Sequence, residues 1–439
     1  MSVPMNIMML HNETFPSPGN PGGWEHHRKG KATMNTMKRY VPVFMMALLV
    51  LTWVSAANAA VLVQCPGDTD GDATVDSSNP MYDNVKCMHL GAGDGAIRMA
   101  DGRSLYIFSF SDVTGIADNP NTRGDDRLTA GMMAATFPAP KIVLDEGDEF
   151  YLTLTNVGMM MRPDLFDPHT VHWHGFANAA AVFDGVPDAS VSINMGSSFT
   201  YYYNVVDPGT YLYHCHVEAT EHMQMGMLGN LYVRPAQDGT PYSYEGETYH
   251  QFAYNDGDGS TGYDVDYAIQ IGSFDSVFHD DSETVQPLPF ALMRDNYPML
   301  NGRGYPDTAS TNPPPAPMMA SPVDGVSTQP EHSLIEANQG DRILLRLSNL
   351  NVTRFYTLTS PAVPMEVVGK NARHLRGPDG KDLYYKTHSV TMGGGESMDV
   401  ILDTTSISPG IYFLYTTNMN YLSNDTEDFG GMMTEIIID

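Results

Sequence analysis

The sequence predicts an all-β fold built from two similar β-sandwich domains. Its 439 residues include 40 Gly and 30 Pro, and this abundance of turn residues favours many short strands over helical bundles. Short runs alternate apolar and polar residues and are bounded by Gly, Pro, Asn and Asp, which is typical of sandwich strands. Hydrophobic residues make up 42% of the chain, so each domain can bury a core.

Segments of the first half of the chain recur in the second half in the same order. The matching pairs are residues 142–156 and 334–349, residues 194–213 and 391–414, and residues 225–233 and 430–438. We therefore place one domain at residues 60–240 and a second at residues 241–439, with a Pro-rich loop at residues 312–317 inside the second.

The charge balance excludes two classes of partner. Lys and Arg number 23 against 52 Asp and Glu, which gives a formal net charge of -29. Binding to nucleic acid needs a basic face that neutralises phosphates, so no nucleic-acid partner is expected. A polybasic membrane anchor is excluded for the same reason.

The N-terminal region is typical of an export signal. A basic pair precedes an apolar run at residues 41–54, and small residues follow it. This order describes a secretory signal peptide, and the run is too short to cross a bilayer comfortably. We interpret residues 1–59 as a mis-called extension plus a signal peptide, with initiation at Met34 or Met37 and cleavage after Ala59. The mature protein is then periplasmic, held at the outer surface or secreted.

Three cysteines remain to be explained in an exported chain, where disulfides are allowed. Cys65 and Cys87 flank a short loop and are the natural disulfide pair. Cys215 is then left over, and an odd cysteine in an exported protein is a reactive thiol or a metal ligand.

An acidic loop lies between Cys65 and Cys87. Its alternating carboxylates resemble a calcium-binding loop, in which hard oxygen ligands converge on one cation. The calcium candidates are Asp68, Asp70, Asp72 and Asp76. Ala73 stands where a sharp turn wants Gly, and Asn79 stands where a bidentate carboxylate is expected, so a solvated acidic turn remains the alternative.

Histidine and cysteine concentrate in two short segments of the first domain. The side chains are His169, His172 and His174 in one segment, and His214, Cys215, His216 and His222 in the other. Because side chains alternate across a strand, His172, His174, His214 and His216 should share one face of a sheet. His169 and Cys215 should lie together on the opposite face.

The group around Cys215 has the composition of a blue-copper site. One thiolate, two imidazoles and a weak axial thioether form the trigonal electron-transfer site. Cys215, His169 and His222 supply the first three ligands. Met227 is our choice of axial ligand, and Met225 is the alternative.

The two segments resemble the copper signatures of the multicopper oxidases, H-x-x-H-x-H and H-C-H followed by a further His and an axial residue. The resemblance covers most of residues 100–439, including residues 183–187 and 301–305. It implies two cupredoxin-like Greek-key domains and an oxidoreductase that takes electrons from a phenol or metal ion and passes them to O2. It assigns type 1 copper to His169, Cys215, His222 and Met227, type 2 copper to His172, and the type 3 pair to His174, His214 and His216.

The second domain departs from the family pattern. The family's second copper cluster uses twice as many histidines as these four, and the second domain contains no His-x-His pair. Aligning the repeats places Tyr415, Thr416 and Thr417 at the positions of His214, Cys215 and His216. The single histidines of the second domain are expected at the surface or in hydrogen bonds: His250, His279, His332, His374 and His388.

Three functions remain open after this departure. In the first case, a second copy of the chain, or a partner chain, completes the cluster and the protein is an oxidase. Alternatively, only type 1 copper binds and the protein transfers electrons. In the third case the protein handles copper without oxidase turnover.

Overall fold

The computed structural model describes residues 63–119, 125–284, 287–325 and 327–439. The predicted extension and signal peptide, residues 1–59, lie outside the described residues. The chain from Asn58 to Asp439 clusters as one unit. None of the helices in the described ranges has the length and apolarity that a membrane crossing requires.

The first sandwich consists of two four-stranded sheets. Its strands are β1 (Val85–Arg98), β2 (Ser104–Asp112), β3 (Ala139–Asp145), β4 (Glu149–Gly158), β5 (His172–His174), β6 (Ser198–Asn204), β7 (Gly209–His214) and β8 (Leu228–Arg234). One sheet has the order β2-β1-β4-β6, and the other has the order β3-β8-β7-β5. The predicted ligands therefore lie on β5, on β7 and on the connection from β7 to β8, except His169, which lies shortly before β5.

Two small hairpin-like pairs join the first sandwich to the second. Their strands are β9 (Tyr242–Tyr244), β10 (Glu247–Tyr249), β11 (Gln251–Phe252) and β12 (Gly262–Tyr263). β9 pairs with β10 and β11 pairs with β12, both antiparallel.

The second sandwich consists of a seven-stranded and a five-stranded sheet. Its strands are β13 (Val265–Phe274), β14 (Tyr297–Leu300), β15 (Ile335–Ala337), β16 (Arg342–Asn349), β17 (Tyr356–Thr359), β18 (Met365–Lys370), β19 (Arg373–His374), β20 (Tyr385–Thr387), β21 (Ser389–Met392), β22 (Glu396–Asp403), β23 (Gly410–Thr416) and β24 (Met433–Ile438). The larger sheet has the order β14-β13-β16-β22-β18-β19, with β20 on β18, and the smaller has the order β15-β24-β23-β17-β21.

The two sandwiches repeat one topology. β1 pairs antiparallel with β2 and parallel with β4, and β13 pairs in the same way with β14 and β16. The order β3-β8-β7-β5 likewise recurs as β15-β24-β23-β17. The predicted all-β fold of two related sandwiches is therefore confirmed.

Helices are short in the described residues. The α-helices are α1 (Asp126–Gly131), α2 (Ala219–Met225) and α3 (Ser276–Thr284). Single 3-10 turns occur at Pro80–Tyr82, Ala181–Phe183, Phe290–Leu292, Asp307–Ala309, Val323–Gly325 and Met419–Tyr421. α2 belongs to the candidate site, and α3 extends from the second sandwich onto the first.

Each sandwich has its own apolar core, and a further cluster of buried side chains joins them. That shared cluster contains Ile107 and Leu212 from the first sandwich, and Phe274 and Met299 from the second. The ring of Phe137 lies 4.5 Å from that of Phe274, centroid to centroid. Burying each such side chain contributes about 2 kcal/mol, so the contact between the sandwiches is substantial.

Candidate metal centre

A short strand pair holds three of the eight predicted ligands, His172, His174 and His214. β5 runs antiparallel to β7 and places His172 opposite His214. Because side chains alternate along a strand, Trp173 points into the core between His172 and His174. Its indole stacks on the ring of Phe176 with the centroids 4.1 Å apart. Removing a buried Trp typically costs about 3–5 kcal/mol, so this contact fixes the strand and leaves both histidines on its other face.

His169, Cys215 and His222 form a buried thiol cluster. One ligand atom from each lies within 4.8 Å of the others. The Cys215 Sγ atom is 3.2 Å from His222 Nδ1 and 3.9 Å from His169 Nδ1. The Thr170 backbone N–H points at the sulfur from 3.5 Å. The two imidazoles thus present the same ring nitrogen to the thiol.

The ligand segment, residues 219–227, brings His222 back over Cys215. It consists of α2 followed by Gly226 and Met227. Gly226 ends the helix with a left-handed φ of 117°, a conformation that glycine adopts without a steric penalty. The Met227 backbone then accepts a hydrogen bond from the Cys215 N–H at 3.1 Å, which ties the end of the segment to the cysteine.

The axial ligand remains a prediction between two methionines. Met225 and Met227 are both fully buried, and both belong to the same core cluster as Cys215. The backbone hydrogen bond from Cys215 brings the Met227 main chain next to the cysteine, and burial does not distinguish the two side chains.

Burial sets the protonation of the thiol cluster. It raises the pKa of the Cys215 thiol to about 11 and lowers the pKa of His222 to about 4. It also holds the pKa of His169 well below its usual range. At neutral pH the cluster is therefore a protonated thiol beside two neutral imidazoles, which can bind a metal through their lone pairs. A thiolate with two imidazoles is a donor set that fits copper.

The other four histidines form a second group, the four-histidine cluster, on the far side of the Cys215 backbone. The ring of His172 lies 5.9 Å from that of His174, 5.2 Å from His214 and 5.1 Å from His216, centroid to centroid. The rings of His214 and His216 are 5.6 Å apart. Strand alternation predicted this separation into two groups, and the structure places the side chains in the same two groups.

Backbone carbonyls orient the rings of the four-histidine cluster. The Nδ1 atom of His172 lies 2.5 Å from the Asp184 carbonyl oxygen, and that of His214 lies 2.8 Å from the Cys215 carbonyl oxygen. If Nδ1 donates its proton to these oxygens, Nε2 is left free for a metal. Burial lowers the pKa of His214 to about 3 and also lowers the pKa of His172 and of His174, so these imidazoles are neutral.

Two glycines cover this cluster, and sequence reasoning assigned no role to either. A Cβ atom at Gly185 would lie 2.0 Å from the Val171 carbonyl oxygen. A Cβ atom at Gly395, in the second sandwich, would lie 3.0 Å from His174 Cε1. A cavity of about 350 Å³ between the sandwiches is lined by His174, Arg373 and Gly395. The run of three glycines before β22 was the only sequence signal for Gly395. The contact of Gly395 with His174 could not be predicted, because it depends on how the sandwiches pack.

The second sandwich carries different side chains at the equivalent strand positions. β17 and β23, which correspond to β5 and β7, place Leu358 opposite Thr416 and Thr359 opposite Tyr415. These four positions therefore offer no imidazole or thiolate to a metal.

The predicted disulfide and acidic loop lie away from these histidines in sequence, before and within β1. Cys65 and Cys87 form a disulfide with their Cα atoms 5.8 Å apart. Carboxylate oxygens of Asp68, Asp70 and Asp76 lie within 4.8 Å of one another. Asp72 is not part of this group; its carboxylate accepts hydrogen bonds from the backbone and hydroxyl of Thr74, as that of Asp76 does from Thr69. The loop thus gathers three of the four calcium candidates.

Comparison with known proteins identifies the region that holds these clusters. Residues 119–238 match a family model described as multicopper oxidase. The chain carries a multicopper oxidase domain. This multicopper oxidase domain contains the thiol cluster, the four-histidine cluster and both methionine candidates.

Individual relatives match longer or shorter parts of the chain. Laccase-2 of Cryptococcus neoformans var. grubii is 25% identical over 344 residues, which cover 71% of this chain and 49% of that protein. The multicopper oxidase MmcO of Mycobacterium tuberculosis is 43% identical over 82 residues, 19% of this chain and 15% of its own length. The chain thus spans about half the length of Laccase-2.

A solved structure supports the fold over most of the chain. The blue copper oxidase from Nitrosomonas europaea matches with a TM-score of 0.55 at 24% identity, over 80% of this chain and 85% of its own. Both sandwiches, and not the multicopper oxidase domain alone, therefore share an architecture with that protein.

Proposed function

We propose that the protein is an exported copper-dependent oxidase of multicopper type. In this proposal His169, Cys215, His222 and Met227 hold type 1 copper, while His172, His174, His214 and His216 hold type 2 and type 3 copper. Copper at these residues would accept single electrons from a reductant and supply the redox chemistry that reduces O2.

The observation that carries the proposal is the position of Cys215 between the two clusters. Its side chain belongs to the thiol cluster, while His214 and His216, its neighbours in sequence, belong to the four-histidine cluster. The hydrogen bond between His214 Nδ1 and the Cys215 carbonyl oxygen adds a second connection. The two proposed metal sites would thereby be joined through three consecutive residues, which suits electron transfer between them.

An oxidase of this kind needs further ligands for the four-histidine cluster. His172, His174 and His216 are only partly buried, so the cluster has an accessible side. We propose that another copy of this chain, or a partner chain, completes it there. Electron transfer by type 1 copper alone, and copper handling without turnover, are the competing functions.

The surroundings of His222 favour a cationic reductant. A carboxylate oxygen of Asp167 lies 4.0 Å from His222 Nε2, the ring nitrogen that faces away from the thiol. Together with the net charge of -29, this carboxylate favours a metal-ion donor electrostatically. A phenol remains the second donor class.

The test is the number of coppers bound and the consumption of O2 by the copper-loaded mature protein. We expect clearly more than one copper per chain, O2 uptake with a metal-ion or phenol donor, and the visible absorption of a thiolate–copper site. A ratio of about one, which a lone type 1 centre would give, without O2 uptake would support the electron-transfer function instead.

Substitution of His172 separates the two clusters. His172→Ala should abolish O2 uptake and leave the thiolate–copper absorption in place, because His172 belongs only to the four-histidine cluster. The exposed His250 offers a matched control, since His250→Ala should change neither. O2 uptake at the normal rate in H172A would refute the assignment of His172.

Calcium binding and export stay predictions. The proximity of Asp68, Asp70 and Asp76 supports a cation site, and calcium should slow hydrogen exchange of residues 68–76. No difference between calcium and chelator would refute the calcium site.

N-terminal sequencing of the exported protein tests cleavage after Ala59, and a mature form that retains Met1 would refute that cleavage.

A further inference from the structure

The ligand segment is held by a histidine of the second sandwich as well as by its own domain. α3 follows β13 and leaves the second sandwich to lie on the first. Phe278 on α3 is fully buried in the core of the first sandwich. Arg103, which precedes β2, donates to Ser276 and forms an ion pair with Asp280 at 2.5 Å. The helix is therefore fixed at both its start and its middle.

This placement inserts His279 between β2 and the ligand segment. His279 is fully buried. Its Nδ1 atom lies 2.6 Å from the carbonyl oxygen of Tyr106 on β2, and its Nε2 atom lies 3.0 Å from the carbonyl oxygen of Gln224 on α2. The ring of Phe274 packs against it with centroids 4.5 Å apart. One imidazole thus joins a core strand, the second sandwich and the ligand helix.

The hydrogen bond to Gln224 has a physical role at the end of α2. The last carbonyls of a helix have no partner within the helix, and a histidine can donate to them. The carbonyl of His222 accepts the backbone N–H groups of Gly226 and Met227, and the carbonyl of Gly226 accepts the hydroxyl of Ser109 at 2.8 Å. The carbonyl between them in sequence is that of Gln224, and His279 supplies its donor whenever Nε2 carries a proton.

Both partners of His279 are carbonyl oxygens, which can only accept hydrogen bonds. A neutral imidazole donates to one of them, and the imidazolium donates to both. Burial lowers the pKa of His279, while its bonds to the two carbonyls oppose that shift. An apolar side chain in its place leaves the buried Gln224 carbonyl without a donor, and such orphaned groups are costly.

We infer that His279 is a positioning residue for the thiol cluster, because it holds the helix that carries His222 and precedes Met227. The inference rests on the proposed type 1 copper site, to which it adds a function for the second sandwich. That sandwich lacks the ligand histidines, yet it holds the helix from which His222 faces Cys215. His279 touches neither metal nor substrate in this account.

The first experiment uses the metal-free mature protein and the variants His279→Phe and His279→Gln. Phe keeps the aromatic contact with Phe274 but cannot donate, and Gln keeps a donor. We expect hydrogen exchange of residues 222–227 to accelerate about tenfold or more in H279F, consistent with loss of one buried hydrogen bond, and to recover partly in H279Q. Unchanged exchange of this segment in H279F would overturn the inference.

The second experiment loads the same proteins with copper. We expect H279F to change the thiolate–copper absorption and the reduction potential, and to lose copper to a chelator about tenfold more readily, as for other residues that orient metal ligands. Retention of the wild-type absorption and potential would overturn the inference. Absence of this absorption from the wild-type protein would refute the type 1 site instead, and the hydrogen-exchange result would still decide the role of His279.

A stability-matched variant separates positioning from general destabilisation. Ile436→Ala removes a fully buried side chain from the core of the second sandwich, on β24. It should lower the melting temperature and leave the absorption and potential unchanged. An equal spectral change in I436A would overturn the inference. If H279F does not fold, His279→Asn, whose side chain is too short to reach Gln224, replaces it in both experiments.

Discussion

Burial sets the protonation state of Cys215, the thiol of the proposed type 1 copper site. A thiol with a pKa of about 11 is protonated at neutral pH, and the neighbouring His222, with a pKa of about 4, is neutral. The cluster therefore carries no charge before copper binds, which limits the cost of burying it. Since the thiolate is the form that ligates, copper has to displace the thiol proton.

This protonation state predicts proton release on copper binding. At pH 7 we expect about one proton per copper bound at the thiol cluster, because the imidazoles are already neutral and only the thiol ionises. The measurement is an anaerobic copper titration in weak buffer with a pH indicator, followed together with the thiolate–copper absorption. The release should follow the absorption in proportion.

Cys215→Ser is the control for that titration. It should lack both the thiolate–copper absorption and the proportional proton release. Growth of the absorption in the wild-type protein without proton release would mean that the thiol is already ionised, contrary to the effect of its burial.

At the scale of elements, the shared face of His172 and His174 was predictable because alternation is a local property of the backbone. A period of two residues places His172 and His174 on one face whatever the rest of the chain does. The partition predicted from alternation agrees with the structure, although His169, Cys215 and His216 lie just outside β5 and β7. The all-β repeat was predictable for the same reason, since turn residues and alternation recur in both copies.

Contacts between distant elements could not be predicted from the sequence. The approach of Gly395 to His174 and of His279 to Gln224 depends on the packing of one sandwich on the other. The sequence predicted only that His279 is at the surface or hydrogen-bonded, and the structure shows it buried with two carbonyl partners. No local pattern carries that information, because the partners lie far apart along the chain.

The turn before β22 provides a prediction for the four-histidine cluster. Gly395→Ala would place a methyl group 3.0 Å from His174 Cε1 at a residue whose φ is +86°. We expect the His174 ring to be displaced, so that copper binding at this cluster falls while the thiolate–copper absorption stays. The measurement is the copper-to-chain ratio together with the visible spectrum.

Gly340→Ala is a matched control for that substitution. Gly340 has a φ of +102°, and a Cβ atom there would meet nothing within 4 Å. Both substitutions place an alanine at a positive φ, which costs about 1–2 kcal/mol, but only G395A crowds a histidine. An equal loss of copper in G340A would mean that backbone strain, and not crowding of His174, causes the loss in G395A.

At the scale of the molecule, buried polar groups connect the two sandwiches next to the site. Asp399 on β22 is fully buried and accepts hydrogen bonds from Thr210 on β7 at 2.5 Å and from Tyr254 at 2.6 Å. Arg346 is also fully buried and lies 3.9 Å from Asp399. Because β7 ends at His214, this network joins the second sandwich to the strand that leads into both clusters.

The network predicts that the sandwiches unfold together. Asp399→Asn should destabilise the protein by about 3 kcal/mol, since it removes a buried charge beside Arg346 and places an amide N–H against donor hydroxyls. Trp173 is the single tryptophan of residues 60–439 and lies in the first sandwich, so its fluorescence reports that sandwich alone. We expect D399N to lower the denaturant midpoint of Trp173 fluorescence and of far-ultraviolet circular dichroism equally.

Asp403→Asn, at the partly exposed end of the same strand, is the control. It should change the free energy of unfolding obtained from either signal by less than about 0.5 kcal/mol. A Trp173 midpoint that stays at the wild-type value in D399N would mean that the first sandwich, with the proposed copper ligands, folds independently of the second.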